Sequence, residues 1–297
     1  MSVSTEKSRP EWIQQPWVTW LCLAACVIVF IGIKVDDFAH PNEAVRRWGA
    51  PGSEAIWNGA WWGLITSAFV HLQPLHIFFN LYWLYLLGTR MEQVVGSFRY
   101  LAFVLLSAVV SSSAQLAFSE STGIGISGVL YAIFGFCLFA RERHLVLREI
   151  LTDSTIKTLL FWLVLCVVLT QLNLLNVANA AHVGGLVFGS AVAYGFALRE
   201  KRWWAQAATV ALIGLAAVPA VWMPWSSDWL AVRAHQAHTA DRYTEAEMYY
   251  TKFLEKNPNS AQAYLGRGLA RLAQNQNEAG EADLKRAREL DPTIYKD

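Results

Sequence analysis

Charged side chains are scarce in this sequence: 16% of its 297 residues are Asp, Glu, Lys or Arg, against about 25% in an ordinary soluble domain. That deficit excludes a disordered chain and argues against a freely soluble enzyme. Net charge is nearly absent as well, at +1, and no Lys/Arg stripe with interleaved aromatics makes up for it. A nucleic-acid partner is therefore not expected. Cysteine is just as sparse. Cys22, Cys26, Cys137 and Cys166 all fall inside apolar runs without C-x-x-C spacing, so they read as buried small hydrophobes and not as a disulfide framework or a metal site. Neither a metal nor a cofactor is expected.

Apolar residues are abundant, 55% of the chain, with a mean hydropathy of +0.29. Their distribution is uneven. Residues 233–297 hold 10 Lys/Arg and 10 Asp/Glu, and the 232 residues before them hold only 27 charges. Two regions facing different solvents follow from that contrast. In the first, stretches of about 20 mostly apolar residues occur near 17–35, 76–95, 98–118, 127–141, 156–174, 178–198 and 203–223, seven candidate spanning helices. The first has Lys7 and Arg9 before it and contains Leu23-Ala24-Ala25-Cys26, which looks like a lipoprotein cleavage box. The run stays apolar through Val27-Ile28-Val29-Phe30-Ile31, which favours a retained span.

Lys and Arg in the connections set the orientation. With the amino terminus cytoplasmic, 11 of these residues fall inside (Lys7, Arg9, Arg90, Arg99, Arg141, Arg143, Arg148, Lys157, Arg199, Lys201, Arg202) and three outside (Lys34, Arg46, Arg47). Seven crossings put everything after Pro224 on the outer face; if the last helix does not cross, that region is cytoplasmic. The region has its own period. Asn257-Pro258 and Asp291-Pro292 lie 34 residues apart, and Glu255 and Glu289 keep the same offset. Each Pro follows a pair of short amphipathic stretches, 229–239 with 243–256 and 261–273 with 277–290. Ala246, Gly268 and Ala287 sit where a tetratricopeptide repeat takes small residues, although Leu230 and Ala234 replace its Trp and Gly. Two repeats bury little core, so a protein or peptide partner is expected for them.

Polar side chains at membrane depth are costly and mark function by default. Four stand out. His76 and Asn80 share a face one turn apart, Ser127 opens the fourth span after Gly123-Ile124-Gly125-Ile126, and His182 begins the sixth. Even-numbered spans start at the outer face, so all four converge on one depth. Small residues let the helices that carry them approach closely: Ala181, Gly185, Gly189 and Ala193 in the sixth span, Gly128, Ala132 and Gly135 in the fourth. Taken singly, Ser127 could be a helix cap and the histidines cross-bundle hydrogen bonders. Together they make a Ser-His dyad for attack on a carbonyl, with His76, Asn80 and backbone N–H groups as oxyanion donors. Asp36, Asp37, Glu43, Glu54 and Glu120 lie in loops, so no orienting carboxylate is at hand. Val129 replaces the second glycine of a G-x-S-x-G elbow, which excludes an α/β-hydrolase.

These residues resemble the rhomboid intramembrane serine proteases over about residues 17–198. The resemblance is carried by His71 and His76-Ile77-Phe78-Phe79-Asn80, by Gly125-Ile126-Ser127-Gly128 with Tyr131, and by Ala181-His182-Val183-Gly184-Gly185. It implies Ser127 as nucleophile, His182 as general base, an oxyanion site lined by His76 and Asn80, and Tyr131 beside His182, with Gly125 and Gly128 in support. It also implies cleavage of transmembrane protein substrates in the bilayer, near the outer face, in a bacterial inner membrane. A Trp-Arg pair common in the family's first loop is replaced here by Trp61-Trp62-Gly63, whereas Glu92 and Gly96 match and are expected to stabilise the fold. A non-cleaving binder of transmembrane helices and a transporter are the alternatives. The expected architecture is all-α: a tail (1–16), a six-helix rhomboid-like membrane domain (17–198), a seventh span (199–224) and a small helical repeat region (225–297).

Overall fold

The computed structural model describes residues 15–36, 41–197 and 202–294. All the regular structure among them is helical, and the chain divides into two compact units, Met1–Ala220 and Val221–Asp297. In the first unit the membrane-type helices are α1 (Trp17–Asp36), α5 (Pro74–Trp83) continuing through a π turn (Leu84–Gly88) into α6 (Thr89–Val95), α7 (Ser97–Ser119), α8 (Ser127–Ala140), α10 (Asp153–Gln171), α11 (Asn179–Ala197) and α12 (Arg202–Val221). Each of the seven apolar stretches thus forms a helix. By length and composition α1, α7 and α10 could each cross a bilayer alone, as could the bent pair Gly63–Phe69 and Pro74–Val95, which turns through 100°. At 14 residues α8 is the shortest of the seven.

Two features depart from plain spans. The connection after α1 is itself helical, with α2 (Pro41–Arg47), α3 (Ser53–Trp57), α4 (Gly63–Thr66) and a 3₁₀ turn at Ser67–Phe69, while α9 (Leu145–Ile150) links α8 to α10. The second span also carries the π turn, where the Thr89 hydroxyl donates to the Tyr85 carbonyl. Helix ends follow local chemistry. Pro74 sits at the start of α5, where its missing N–H costs nothing. Gly96, at φ 85°, ends α6 in a conformation open to glycine, and the Thr152 hydroxyl caps α10 by accepting from Thr155 N–H.

Glu92 is 2% exposed and closes the amino-terminal end of α1. Its carboxylate accepts from Val18 N–H, Thr19 N–H and the hydroxyls of Thr19 and Ser97, all at 2.6–2.9 Å. Those two backbone donors have no intrahelical acceptor of their own. At the other end of the unit, Trp57 Nε1–H donates to the Pro219 carbonyl at 3.0 Å, capping the last turn of α12 with a side chain of the first loop.

The core packs α8 against α11 with almost no side chain between them. A Cβ on Gly185 would overlap the Gly128 carbonyl, one on Gly189 the Ala132 carbonyl, and one on Gly128 would lie 2.6 Å from Ser111 Cβ of α7. This is the close backbone approach expected of the small-residue faces. Around the seam Phe103, Phe136 and Phe188 interlock, with ring centroids 5.7–5.8 Å apart.

The second unit stacks α13 (Ser227–Thr239), α14 (Tyr243–Lys256), α15 (Ala261–Ala273) and α16 (Asn277–Leu290), within two residues of the four amphipathic stretches. Ser226 and Ser260 cap α13 and α15. Ala246 and Ala287 are fully buried, and Gly268 lets α15 meet the Gly280 backbone of α16. Arg267 grips Asp283 bidentately at 2.8 Å, and Arg271 bridges Asp283 and Glu247 at 2.9 and 2.8 Å, one ion network across three helices.

Candidate active site

Ser127 is the first residue of α8, and its position follows from the glycine-rich segment before it. Gly123 and Gly125 have φ of 68° and 101°, values that L side chains adopt only under strain. A Cβ on Gly125 would also stand 2.6 Å from His76 Cε1, so the chain passes directly against that imidazole. The turn is held from the other side by the segment after α4: Gly125 N–H donates to the Ser67 carbonyl at 3.2 Å, and Ile126 N–H to His71 Nε2 at 3.4 Å. The N–H groups of Ser127 and Gly128, in the first turn of α8, have no intrahelical acceptor and remain available as donors.

The glycine seam brings His182 of α11 onto this helix start. Its Nε2 lies 2.8 Å from Ser127 Oγ, although 55 residues separate the two. His182 is 5% exposed, and the Tyr131 ring covers it at a centroid distance of 4.7 Å. Tyr131 is fixed in turn by its own hydroxyl, which donates to the Leu159 carbonyl of α10 at 3.1 Å. For Nε2 to accept the serine proton, the ring proton must sit on Nδ1, and that nitrogen is buried without a hydrogen-bond partner. Gln115 of α7 steadies the start of α11 by accepting from Ala181 N–H at 3.2 Å.

His76 and Asn80 lie on α5, one turn apart, on the other side of the glycine turn. The ring of His76 reaches Gly125, whereas the Asn80 amide donates to the His76 carbonyl at 2.9 Å and is buried. One of the two amide hydrogens of Asn80 is therefore already used within its own helix. Sequence reasoning quoted His71 but gave it no part in the site. In the structure its Nδ1–H donates to the Phe69 carbonyl at 3.2 Å, which leaves Nε2 to accept from Ile126, and its ring packs on His76 at 4.9 Å. Among the described residues no group of His, Cys, Asp or Glu is arranged to hold a metal.

The wall that faces α5 across the site is α10, and it is lightly held: only 6% of its apolar window is buried. Its contacts include the Tyr131 hydroxyl, a Phe79–Trp162 ring pair at 5.9 Å, and the Asn179 amide donating to Thr170 Oγ1 at 2.8 Å. Comparison with known families adds one finding. Residues 58–200 match the Rhomboid domain, a stretch that includes every helix contributing to this site. Together with the apolar helices, the match makes the chain a multi-pass integral membrane protein.

Proposed function

We propose that the rhomboid domain of residues 58–200 is an active intramembrane serine endopeptidase, working through a Ser127–His182 dyad on transmembrane segments of other proteins. The observation that carries this reading is the 2.8 Å approach of His182 Nε2 to Ser127 Oγ at the open start of α8. In that geometry Ser127 Oγ attacks the scissile carbonyl carbon while its proton passes to Nε2. The resulting oxyanion accepts from the Ser127 and Gly128 N–H groups and from His76, with the remaining amide hydrogen of Asn80 within the same pocket wall. Collapse breaks the C–N bond, and His182 returns the proton to the departing amine. A water then repeats the sequence on the acyl-enzyme and frees Ser127. A single oxyanion donor is worth about 3 kcal/mol, so the two side chains share this task with the backbone.

We read the orientation from the Lys/Arg excess in the connections, which favours a cytoplasmic amino terminus and a site toward the outer face. The last turn of α12 is tied to the first loop by Trp57, which supports a seventh crossing. The four helices of residues 227–290 we read as two tetratricopeptide-like repeats that recruit a protein or peptide partner on the outer side.

A fluorophosphonate probe tests the catalytic reading, because it labels only an activated serine. Labelling at Ser127, lost in both Ser127→Ala and His182→Ala together with cleavage of a transmembrane reporter, is the expected result. Both variants should remain folded, since α8 starts without a side-chain cap and each variant loses the one Ser127–His182 hydrogen bond, worth about 1 kcal/mol net. Wild-type cleavage by either variant rules out the dyad. A folded wild-type protein that holds a reporter helix without labelling or cutting it would instead be a binder.

A further inference from the structure

A second concave site lies at the opposite end of the first unit from Ser127. The start of α1 and the wall formed by the π turn and α6 enclose an open groove of about 220 Å³, lined by Gln15, Trp20, Tyr85, Thr89, Arg90 and Gln93 among others. Trp20 and Tyr85 stand across it with ring centroids 5.7 Å apart, both about half exposed. Arg90 is exposed, has no ion pair among the described residues, and donates a long hydrogen bond to Gln93 Oε1 at 3.4 Å. The nearest carboxylate along the chain, Glu92, is no partner for it, since its oxygens already accept from α1 and Ser97.

The depth of the groove is set by its own residues. It sits at the end of the bundle that carries the Lys/Arg excess, and Trp and Tyr collect where hydrocarbon gives way to headgroups. Arg90 lies five residues beyond Tyr85, roughly 7 Å further toward water at 1.5 Å per residue. In the other direction the walls continue as exposed apolar surface, with Leu21 at 69% and Phe78 at 60% exposure. The π turn is the second independent mark. Such turns disturb a regular helix and recur at functional places, and this one brings Tyr85, Thr89, Arg90 and Gln93 onto one wall.

We propose that this groove binds the phosphate headgroup of an anionic glycerophospholipid. Arg90 meets the phosphate, Gln15 and Gln93 offer hydrogen bonds to the glycerol or headgroup hydroxyls, and the Trp20–Tyr85 pair clamps the ester region. The acyl chains then lie along Leu21 and Phe78. An arginine suits the task because its planar fork pairs with two phosphate oxygens at once. The site is separate from the Ser127 centre and stands whether or not the protein is a protease.

The test uses the full chain, purified in neutral detergent, delipidated and titrated with phosphatidylglycerol or phosphatidylcholine under native mass spectrometry. One phosphatidylglycerol should bind in preference to phosphatidylcholine. Arg90→Gln should weaken it about fivefold, the factor expected for one arginine at a lipid surface, and Tyr85→Ala should weaken it too. Arg99→Gln, on the same face but outside the groove, should leave binding unchanged, with thermal unfolding confirming that each variant is folded. Undiminished binding by folded Arg90→Gln overturns the proposal. So does an equal loss in Arg99→Gln, which would mean general charge attraction, or displacement of the lipid by millimolar inorganic phosphate, which would mean a phosphate site without chains. If Arg90→Gln does not fold, Arg90→Lys replaces it, and affinity equal to wild type then counts against the bidentate contact.

Discussion

Gly125 is the residue on which the nucleophile's surroundings depend most tightly. Its φ of 101° and the 2.6 Å approach of His76 Cε1 to a hypothetical Cβ impose two separate penalties on any side chain. The first is a backbone strain of about 1–3 kcal/mol. The second displaces the His76 ring, which lines the proposed oxyanion pocket. Gly125→Ala is therefore expected to lower reporter cleavage by roughly 10²-fold, the scale of a lost oxyanion donor, while thermal unfolding in detergent falls by only a few degrees. A variant that cuts normally would mean that His76 is free to move. At this scale the sequence was legible where polarity stands out in an apolar run: Ser127, His182, His76 and Asn80 share one depth, and Ser127 and His182 meet while His76 reaches the glycine turn beside them. The bond between His182 and Ser127 spans 55 residues, and the small-residue faces pointed to it in advance. The part of His71 was not legible, because its hydrogen-bond partners are backbone atoms of Phe69 and Ile126, which carry no mark in the sequence.

Between elements, the decisive contact is the seam of α8 and α11. Backbone meets backbone there, so the separation of Ser127 and His182 is fixed by main chain and not by the rotamers of intervening side chains. Gly189→Val, two turns below His182, should force the helices apart at the Ala132 carbonyl, costing about 3 kcal/mol. Fluorophosphonate labelling should fall in step with a lowered unfolding midpoint; full labelling at a lowered midpoint would mean that the seam supports the fold without setting the dyad. Hydropathy located all seven apolar helices because each draws on a long apolar run, although among the described residues only α1, α7, α10 and the bent pair of Gly63–Phe69 with Pro74–Val95 are long and apolar enough to cross a bilayer. It missed α2 to α4 in the first loop, where the helices are only four to seven residues long and have no room for a 3.6-residue pattern to repeat. It also missed the π turn, since a single wide turn leaves an apolar sequence unchanged.

On the scale of the whole molecule, the charge contrast between residues 1–232 and 233–297 matches two units stabilised in different ways. One packs aromatics and glycines, and the other is crossed by the Arg267, Asp283, Arg271 and Glu247 network. Since the second unit holds none of the residues of the proposed dyad and oxyanion site, deletion after Pro224 should preserve cleavage of a generic transmembrane reporter and weaken processing of the natural substrate. Equal loss of both would assign the unit to the fold of the protease itself. Its side is read by a cysteine at Ala261: an impermeant thiol reagent should reach it in intact cells, and labelling only after lysis would place the repeats in the cytoplasm. The shortness of α8 adds a consequence for the surrounding lipid. Fourteen residues extend about 21 Å, against roughly 30 Å of hydrocarbon, and the helix gives way to Arg141 and Arg143, a residue type that favours the headgroups. In the proposed orientation the Ser127 hydroxyl is thus measured from the inner leaflet. Thickening the bilayer adds hydrocarbon above Ser127 without moving it, so hydrophobic mismatch selects which substrates reach the site but not where they are cut. In vesicles of increasing acyl length, mass spectrometry of the products should find one scissile bond at a constant count from the substrate's cytoplasmic end, while the rate changes. A cut that migrates with acyl length would mean that substrate register is set at the outer surface instead.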